Sequence, residues 1–387
     1  MKLGLALAGG GIRGIAHAGV LRALEENNIK VDIIGGTSCG SLVASLYAMG
    51  YSPYYIYILF KKYAKEIVGM NKVAFATGVN SILLNKKSKI LGLNTGENIE
   101  RIYNELALKK GIKTISDIKM PIAIPTVDIS EASEYIFTNK IPSNTKNKKF
   151  YIDNVSIGKA VRASSSFPVV FSPCEFENHK FLDGGTLNNV PAIPVKKLGA
   201  EKVISVNFDA DVIDEESNIM DIVMKTIDIM GSKLSEKCLQ NSDFVLTVPS
   251  DKAGLLDIEK IDQCYSLGYD TAIKNIDKIK ELIQKWFIEL FKLNKVFANT
   301  LKIGVIYYKI PWEGRCMVKI NVELLLRKQG KTKYWLCQKM GITNKNLNQV
   351  INGNTKSISF RYIEEFCNYL ECTPAELISL EEKKQAW

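Results

Sequence analysis

Histidine is nearly absent from this 387-residue chain, where only His17 and His179 occur. That scarcity argues against a multi-histidine metal site and leaves any Ser-His-Asp arrangement two candidates. Long apolar runs are missing too: no stretch of 18 or more apolar residues is free of charge, which argues against a spanning helix. The apolar start, Leu3 to Ala8, breaks off at Gly9-Gly10-Gly11. That is the short limit for a secretory core, and no A-x-A site follows, so it reads as a buried strand. Eight cysteines (39, 174, 238, 264, 316, 337, 367, 372) lack C-x-x-C spacing and, without an export signal, read as reduced cytosolic thiols. No metal motif is present, and no cofactor is expected.

What is present is an ordinary globular composition, 46% hydrophobic and 24% charged, on a length that suits two or three domains. The net charge of +10 is unevenly spread. Between Arg315 and Arg361 ten Lys and Arg face Glu323 alone, so +9 falls in 47 residues. A block this basic suits a polyanion, either nucleic acid or an anionic membrane, or else a solvated face with no ligand.

Residues 1–285 alternate strand and helix signals. Strands are expected at 3–8, 31–35, 121–128, 202–208 and 244–249, and helices at 15–27 and 41–50. This predicts an α/β layer fold with a mostly parallel sheet. Tyr51–Lys65 is rich in tyrosine and ends basic; it reads either as a buried aromatic helix or as a cap meeting acyl chains or a membrane. Residues 139–149 read as a loop. Residues 286–316 fit neither neighbour and are expected to be a linker, with a helical domain over 317–387.

Three elements carry chemistry. Gly9-Gly10-Gly11-Ile12-Arg13-Gly14 lies between a strand and a helix, where glycine N–H groups and a helix start suit a phosphate or an oxyanion. A dinucleotide site would use the same string with an acid about 20 residues on, and Asp32 roughly satisfies that. Gly36-Thr37-Ser38-Cys39-Gly40 follows a strand and opens a helix, the setting of a nucleophile elbow. It would lift the Ser38 hydroxyl above the sheet and aim the Cys39 N–H at an oxyanion. Asp183-Gly184-Gly185 ends a strand, and its carboxylate is a general base if it reaches Ser38; otherwise it is an Asp-Gly turn.

Together, GGGIRG at 9–14, GTSCG at 36–40 and DGG at 183–185 resemble the patatin-like phospholipase family, supported by Ala163–Pro168 and Asn188-Asn189-Val190-Pro191. The resemblance implies a three-layer α/β/α fold and a Ser38–Asp183 dyad without a catalytic histidine. It also implies an oxyanion hole from the N–H groups of Gly10, Gly11 and Ile12, with acyl transfer on a phospholipid or other fatty-acyl ester. Arg13 would attract a lipid phosphate or serve a salt bridge at the helix start. His17 reads as structural. Gly185 stands where many relatives have Ala. The expected setting is cytoplasmic, with peripheral contact at the inner membrane face.

Residues 317–380 place Thr332 and Thr343 as N-caps around Gly341, then a polar helix over 344–351, and Thr373-Pro374 before a last helix reaching Leu380. The segment resembles Cro-repressor-like helix-turn-helix domains. That implies DNA contact by Asn344, Lys345, Asn346, Asn348 and Gln349 on base edges. Lys333, Lys339, Lys356 and Arg361 would sit on phosphates, and a homodimer is implied. A regulator whose N-terminal domain senses a lipid or nucleotide without turnover remains the alternative.

Overall fold

The computed structural model describes residues 1–69, 94–143, 145, 147–209, 219–250, 253–254, 256–286, 316–352, 358–372 and 374–382. The chain divides into two compact units, Met1–Val296 and Phe297–Trp387. Nearly all of the expected linker lies outside the described residues.

In the first unit the described elements run β1 (Leu3–Leu7), α1 (Ala16–Glu26), β2 (Ile33–Gly36), α2 (Cys39–Ala48), α3 (Pro53–Val68), α4 (Glu97–Lys109), β3 (Ile122–Asp128), β4 (Ser133–Thr138), β5 (Tyr151–Ile152), α5 (Ile157–Ser164), β6 (Cys174–Phe176), β7 (His179–Asp183), α6 (Ala192–Lys197), β8 (Lys202–Phe208), α7 (Ile219–Leu239), β9 (Phe244–Val248) and α8 (Ile261–Lys274). The sheet order is β5-β4-β3-β2-β1-β8-β9. Neighbours from β3 through β9 pair in parallel, and helices cover both faces. Every residue of β1, β2 and β3 is buried, which explains their unbroken apolar sequence.

Two features place the site. β1 lies between β2 and β8, so the chain turns to one side of β1 first and fills the other side later. Crevices at the carboxyl ends of strands open at such a point. The second feature is antiparallel. β7 returns along β3, pairing Thr126 with Asp183, and so carries Asp183 to the strand next to β2. The expected strands appear within one or two residues. β4 and β6 were not foreseen, because their polar residues interrupt the apolar pattern.

The second unit contains α9 (Val322–Lys328), α10 (Lys333–Met340), α11 (Asn344–Ile351), α12 (Phe360–Leu370) and α13 (Pro374–Leu377). The expected caps are in place: Thr332 accepts from the Trp335 N–H at 3.1 Å, and Thr343 from the Asn346 N–H at 3.2 Å. Leu336, Leu347, Phe366 and Leu377 are completely buried, each contributing about 1.5–3 kcal/mol of transfer free energy. The last helix does not reach Leu380. It ends at Leu377, and Ile378–Glu382 forms β11, antiparallel to β10 (Cys316–Ile320). Alternating Ile378 and Leu380 favour a strand once a partner strand is present, and that partner is distant in sequence.

Candidate functional site

Ser38 lies between β2 and α2 with φ 52° and ψ −126°, a conformation that L-residues rarely adopt. Glycines on either side allow it. A Cβ on Gly36 would meet the Gly40 carbonyl oxygen at 2.2 Å, and one on Gly40 would meet the Leu7 carbonyl oxygen at 2.4 Å. The turn therefore packs backbone against backbone. Polar ties hold it from two directions: the Ser38 N–H donates to Ser164 Oγ at 3.1 Å, and the Thr37 hydroxyl donates to the Asn188 carbonyl at 2.9 Å.

Asp183 closes β7. Its N–H donates to the Ser166 carbonyl at 3.0 Å, and its Oδ1 accepts from the Gly185 N–H at 2.8 Å. The small-residue stretch Ser164–Ser166 thus grips both the elbow and the carboxylate. Asp183 is 2% exposed. Burial pushes its carboxyl up to about 6, opposed by the Ser38 hydroxyl and the Gly185 N–H. The hydroxyl lies close enough to favour the ionised carboxylate. Oδ2 nevertheless has no fully formed hydrogen bond, so the two groups adjoin without docking.

Gly10, Gly11 and Ile12 open the 3₁₀ turn Gly11–Ile15, and their N–H groups have no partner within it because a helix start leaves its first donors free. The Cys39 N–H is at the start of α2 for the same reason. The loop is anchored at Gly9, whose N–H donates to both the carbonyl and Oδ1 of Asn189 at 3.1 Å. Asn189 in turn donates to Ser235 Oγ at 3.0 Å. The Asn188 amide donates to Glu134 Oε1 at 2.6 Å, so one Asn-Asn pair clips the glycine loop, the elbow and β4 together. Asn188 and Ser164 were legible only as neighbours of motifs; nothing in the sequence told what they hold.

Gly9 to Ile12, Ser38, Cys39, Asp183 and Gly185 line one cleft. The rest of its wall is mainly apolar: Leu42, Phe60, Ala64, Ile67, Val68, Ile99, Phe167, Val170, Phe171 and Leu256. Gly14 and Gly184 are off the wall. Gly14 backs onto the Cys39 side chain, and Gly184 onto the Pro125 carbonyl. Tyr51–Lys65 is buried on one side only, through Ile56, Leu59, Phe60 and Ala64, and most of its tyrosines are not part of that buried face. Phe60 and Ala64 of α3 face the cleft, while Tyr54, Tyr55 and Ile58 are exposed.

Arg13 is corrected. It is 3% exposed, its Nε donates to the Gly10 carbonyl at 3.1 Å, and its guanidinium lies over Phe208. It braces the glycine loop from behind and does not face the cleft. Asp32 is corrected as well. It accepts from the Leu3 N–H at 3.0 Å, where β1 begins, and so lies at the opposite end of the strand from the glycine loop. The fold thus removes the acid that a dinucleotide site needs.

His17 is completely buried. Its Nε2 donates to the Ala8 carbonyl at 2.8 Å, and burial pulls its pKa down to about 4, so it stays neutral. Burial pushes the Cys39 thiol far up, which leaves no thiolate to compete with Ser38.

These positions fix a pH dependence for any reaction in which Asp183 accepts a proton. kcat/KM should fall as pH drops through about 6, the value to which burial raises this carboxyl. A pH–rate profile on a soluble ester checks it. An acid limb near an ordinary aspartate value would refute the assignment.

In the second unit Asn344, Lys345, Asn346, Gln349 and Lys339 are exposed along α10 and α11. Lys333 and Asn348 are bonded to each other at 3.1 Å, and Lys333 also pairs with Glu323. Lys356 and the side chain of Arg361 lie outside the described residues. Among the described residues no cluster of His, Cys, Asp and Glu could hold a metal ion, and no helix is long and apolar enough to cross a membrane.

The model of the patatin-like phospholipase family matches residues 5–196, and that of the Cro/C1-type helix-turn-helix DNA-binding domain matches residues 320–383. Lysophospholipase NTE1 of Scheffersomyces stipitis is 29% identical over 301 residues, 70% of this chain and 18% of that protein. Patatin-like phospholipase domain-containing protein 7 of Rattus norvegicus is 27% identical over 296 residues, 69% of this chain and 20% of that protein. The chain therefore spans about a fifth of the length of these relatives. Among solved structures, VipD from Legionella pneumophila has 15% identity and a TM-score of 0.37, covering 72% of this chain and 66% of that one.

Proposed function

We propose, for a chain that carries a patatin-like phospholipase domain over residues 5–196 and a Cro/C1-type helix-turn-helix domain over residues 320–383, that the first domain is a serine lipid acyl hydrolase. The observation that carries the reading is one apolar cleft holding a strained serine, a buried carboxylate and the free N–H groups of a glycine turn. Ser38 Oγ attacks the ester carbonyl as Asp183 takes its proton. The N–H groups of Gly10, Gly11, Ile12 and Cys39 receive the oxyanion. The intermediate collapses, the alcohol leaves with the proton, and an acyl-Ser38 ester remains. Water, giving its proton to Asp183, then attacks the acyl carbon, and Ser38 Oγ leaves with that proton as the fatty acid is released.

The cleft supports a substrate class. Its wall suits one acyl chain, and among the described residues lining it Asp183 is the one that carries charge, which supports selection by the acyl chain. The names of the curated relatives point the same way, to lysophospholipids. The exposed Tyr54, Tyr55 and Ile58 support peripheral contact with a membrane. A panel of lysophospholipids, diacyl phospholipids and simple fatty-acyl esters tests the reading. Single-chain substrates should be turned over fastest, with little dependence on head group. Absence of turnover on the whole panel would favour a domain that senses lipid without hydrolysing it.

The second domain is proposed to bind DNA through α11, as a dimer on paired half-sites. Its basic excess makes the binding electrostatic, so affinity should fall by about 10³-fold or more between 50 and 200 mM salt. A mobility shift insensitive to salt would contradict it.

A further inference from the structure

The end of α12 brings two thiols together. Glu371 follows the helix with φ 47° and ψ 48°, left-handed although it is not glycine. Its N–H and that of Cys372 both turn back to the Cys367 carbonyl, the latter at 3.1 Å. This is the Schellman arrangement, in which a six-residue loop closes on the helix and the side chains of its first and last residues touch. Usually both are apolar. Here both are cysteines, and the Cys372 thiol is in hydrogen-bond contact with Cys367. The 3.1 Å backbone bond from Cys372 to Cys367 draws the two residues together, as a disulfide requires.

We propose that Cys367 and Cys372 form a reversible dithiol–disulfide site, oxidised by hydrogen peroxide. Cys367 sulfur attacks the peroxide, the O–O bond breaks, and a sulfenic acid and one water form. Cys372 sulfur then attacks the sulfenic sulfur and displaces a second water. Two thiols and one peroxide thus become one disulfide and two waters, and a dithiol reductant reverses the change.

The order of attack follows from the surroundings. Burial and the neighbouring Cys367 push the Cys372 thiol up to about 11, which disfavours its thiolate and so its meeting peroxide first. Both residues are half-buried at the surface of their unit, so peroxide has access. The other near pair, Cys39 and Cys264, is 5% and 3% exposed and is closed to it. The cross-link would fix the left-handed turn at Glu371, just before the chain enters α13, whose Leu377 carbonyl accepts from the Asn321 N–H at 2.7 Å.

Both cysteines fall in one tryptic peptide, residues 362–383, which contains no internal Lys or Arg. The full chain, treated with a few equivalents of peroxide and digested without reductant, should yield this peptide about 2 Da lighter, with the mass restored by dithiothreitol. Conversion should be at least tenfold faster in the folded chain than in urea. In Cys372→Ser, Cys367 should be trapped as its dimedone adduct. Overoxidation of either thiol without the mass loss, equal rates in the folded and unfolded chains, or trapping at Cys372 in Cys367→Ser in place of Cys367 in Cys372→Ser would overturn the proposal.

Discussion

Asp183→Asn should abolish ester hydrolysis and at the same time make the first unit more stable at pH 8. Loss of activity follows from the role: an amide cannot take the Ser38 proton, and removal of one member of such a pair costs about 10⁴–10⁶ in kcat. The gain in stability follows from burial. The folded carboxyl titrates near 6, above its ordinary 3.8, because ionising it inside the protein is unfavourable. Native stability is therefore fullest below pH 3.8 and declines as pH rises through 6, and above that the penalty persists at no more than about 3 kcal/mol. Asn removes the charge and keeps an oxygen for the Gly185 N–H.

Ser38→Ala should lose as much activity with little change in stability, since Ala accepts the same backbone and the Ser38 N–H still reaches Ser164. Turnover and thermal unfolding at pH 5 and pH 8 on both variants check this. If Ser38→Ala kept full turnover, the acyl-enzyme route would be dead. If Asp183→Asn were destabilised at pH 8, the carboxylate would be shown to carry a structural bond and not a held-back charge.

The second large effect is structural. Gly40→Ala should cost about 4 kcal/mol or more, lowering the melting temperature of this unit by roughly 10 °C or preventing folding. A methyl there would fall 2.4 Å from the Leu7 carbonyl oxygen and 2.7 Å from that of Ala8, both part of a buried backbone with nowhere to move. Gly50 is the matched control. It has φ +83° and open space around it, so Gly50→Ala should cost only about 1–2 kcal/mol of left-handed strain. Equal losses at the two positions would mean that close packing at the elbow is not what requires glycine.

Much of this protein was legible before any coordinates. Strands buried on both faces announce themselves as unbroken apolar runs, and glycines beside a serine announce a turn too tight for a side chain. The helix caps of the second unit were readable because a threonine hydroxyl satisfies an N–H only two or three residues away. These are local effects, so local sequence determines them.

Tertiary structure decided what depends on strands meeting. It turned Arg13 away from the cleft and placed Asp32 at the far end of β1. It gave the Asn188-Asn189 pair its work as a clip, and it made a strand of Ile378–Glu382 by supplying β10. Asp183 shows the division most plainly. Its identity and its glycines are written in the chain, but its raised proton affinity exists only because β7 returns along β3 and removes the carboxylate from water.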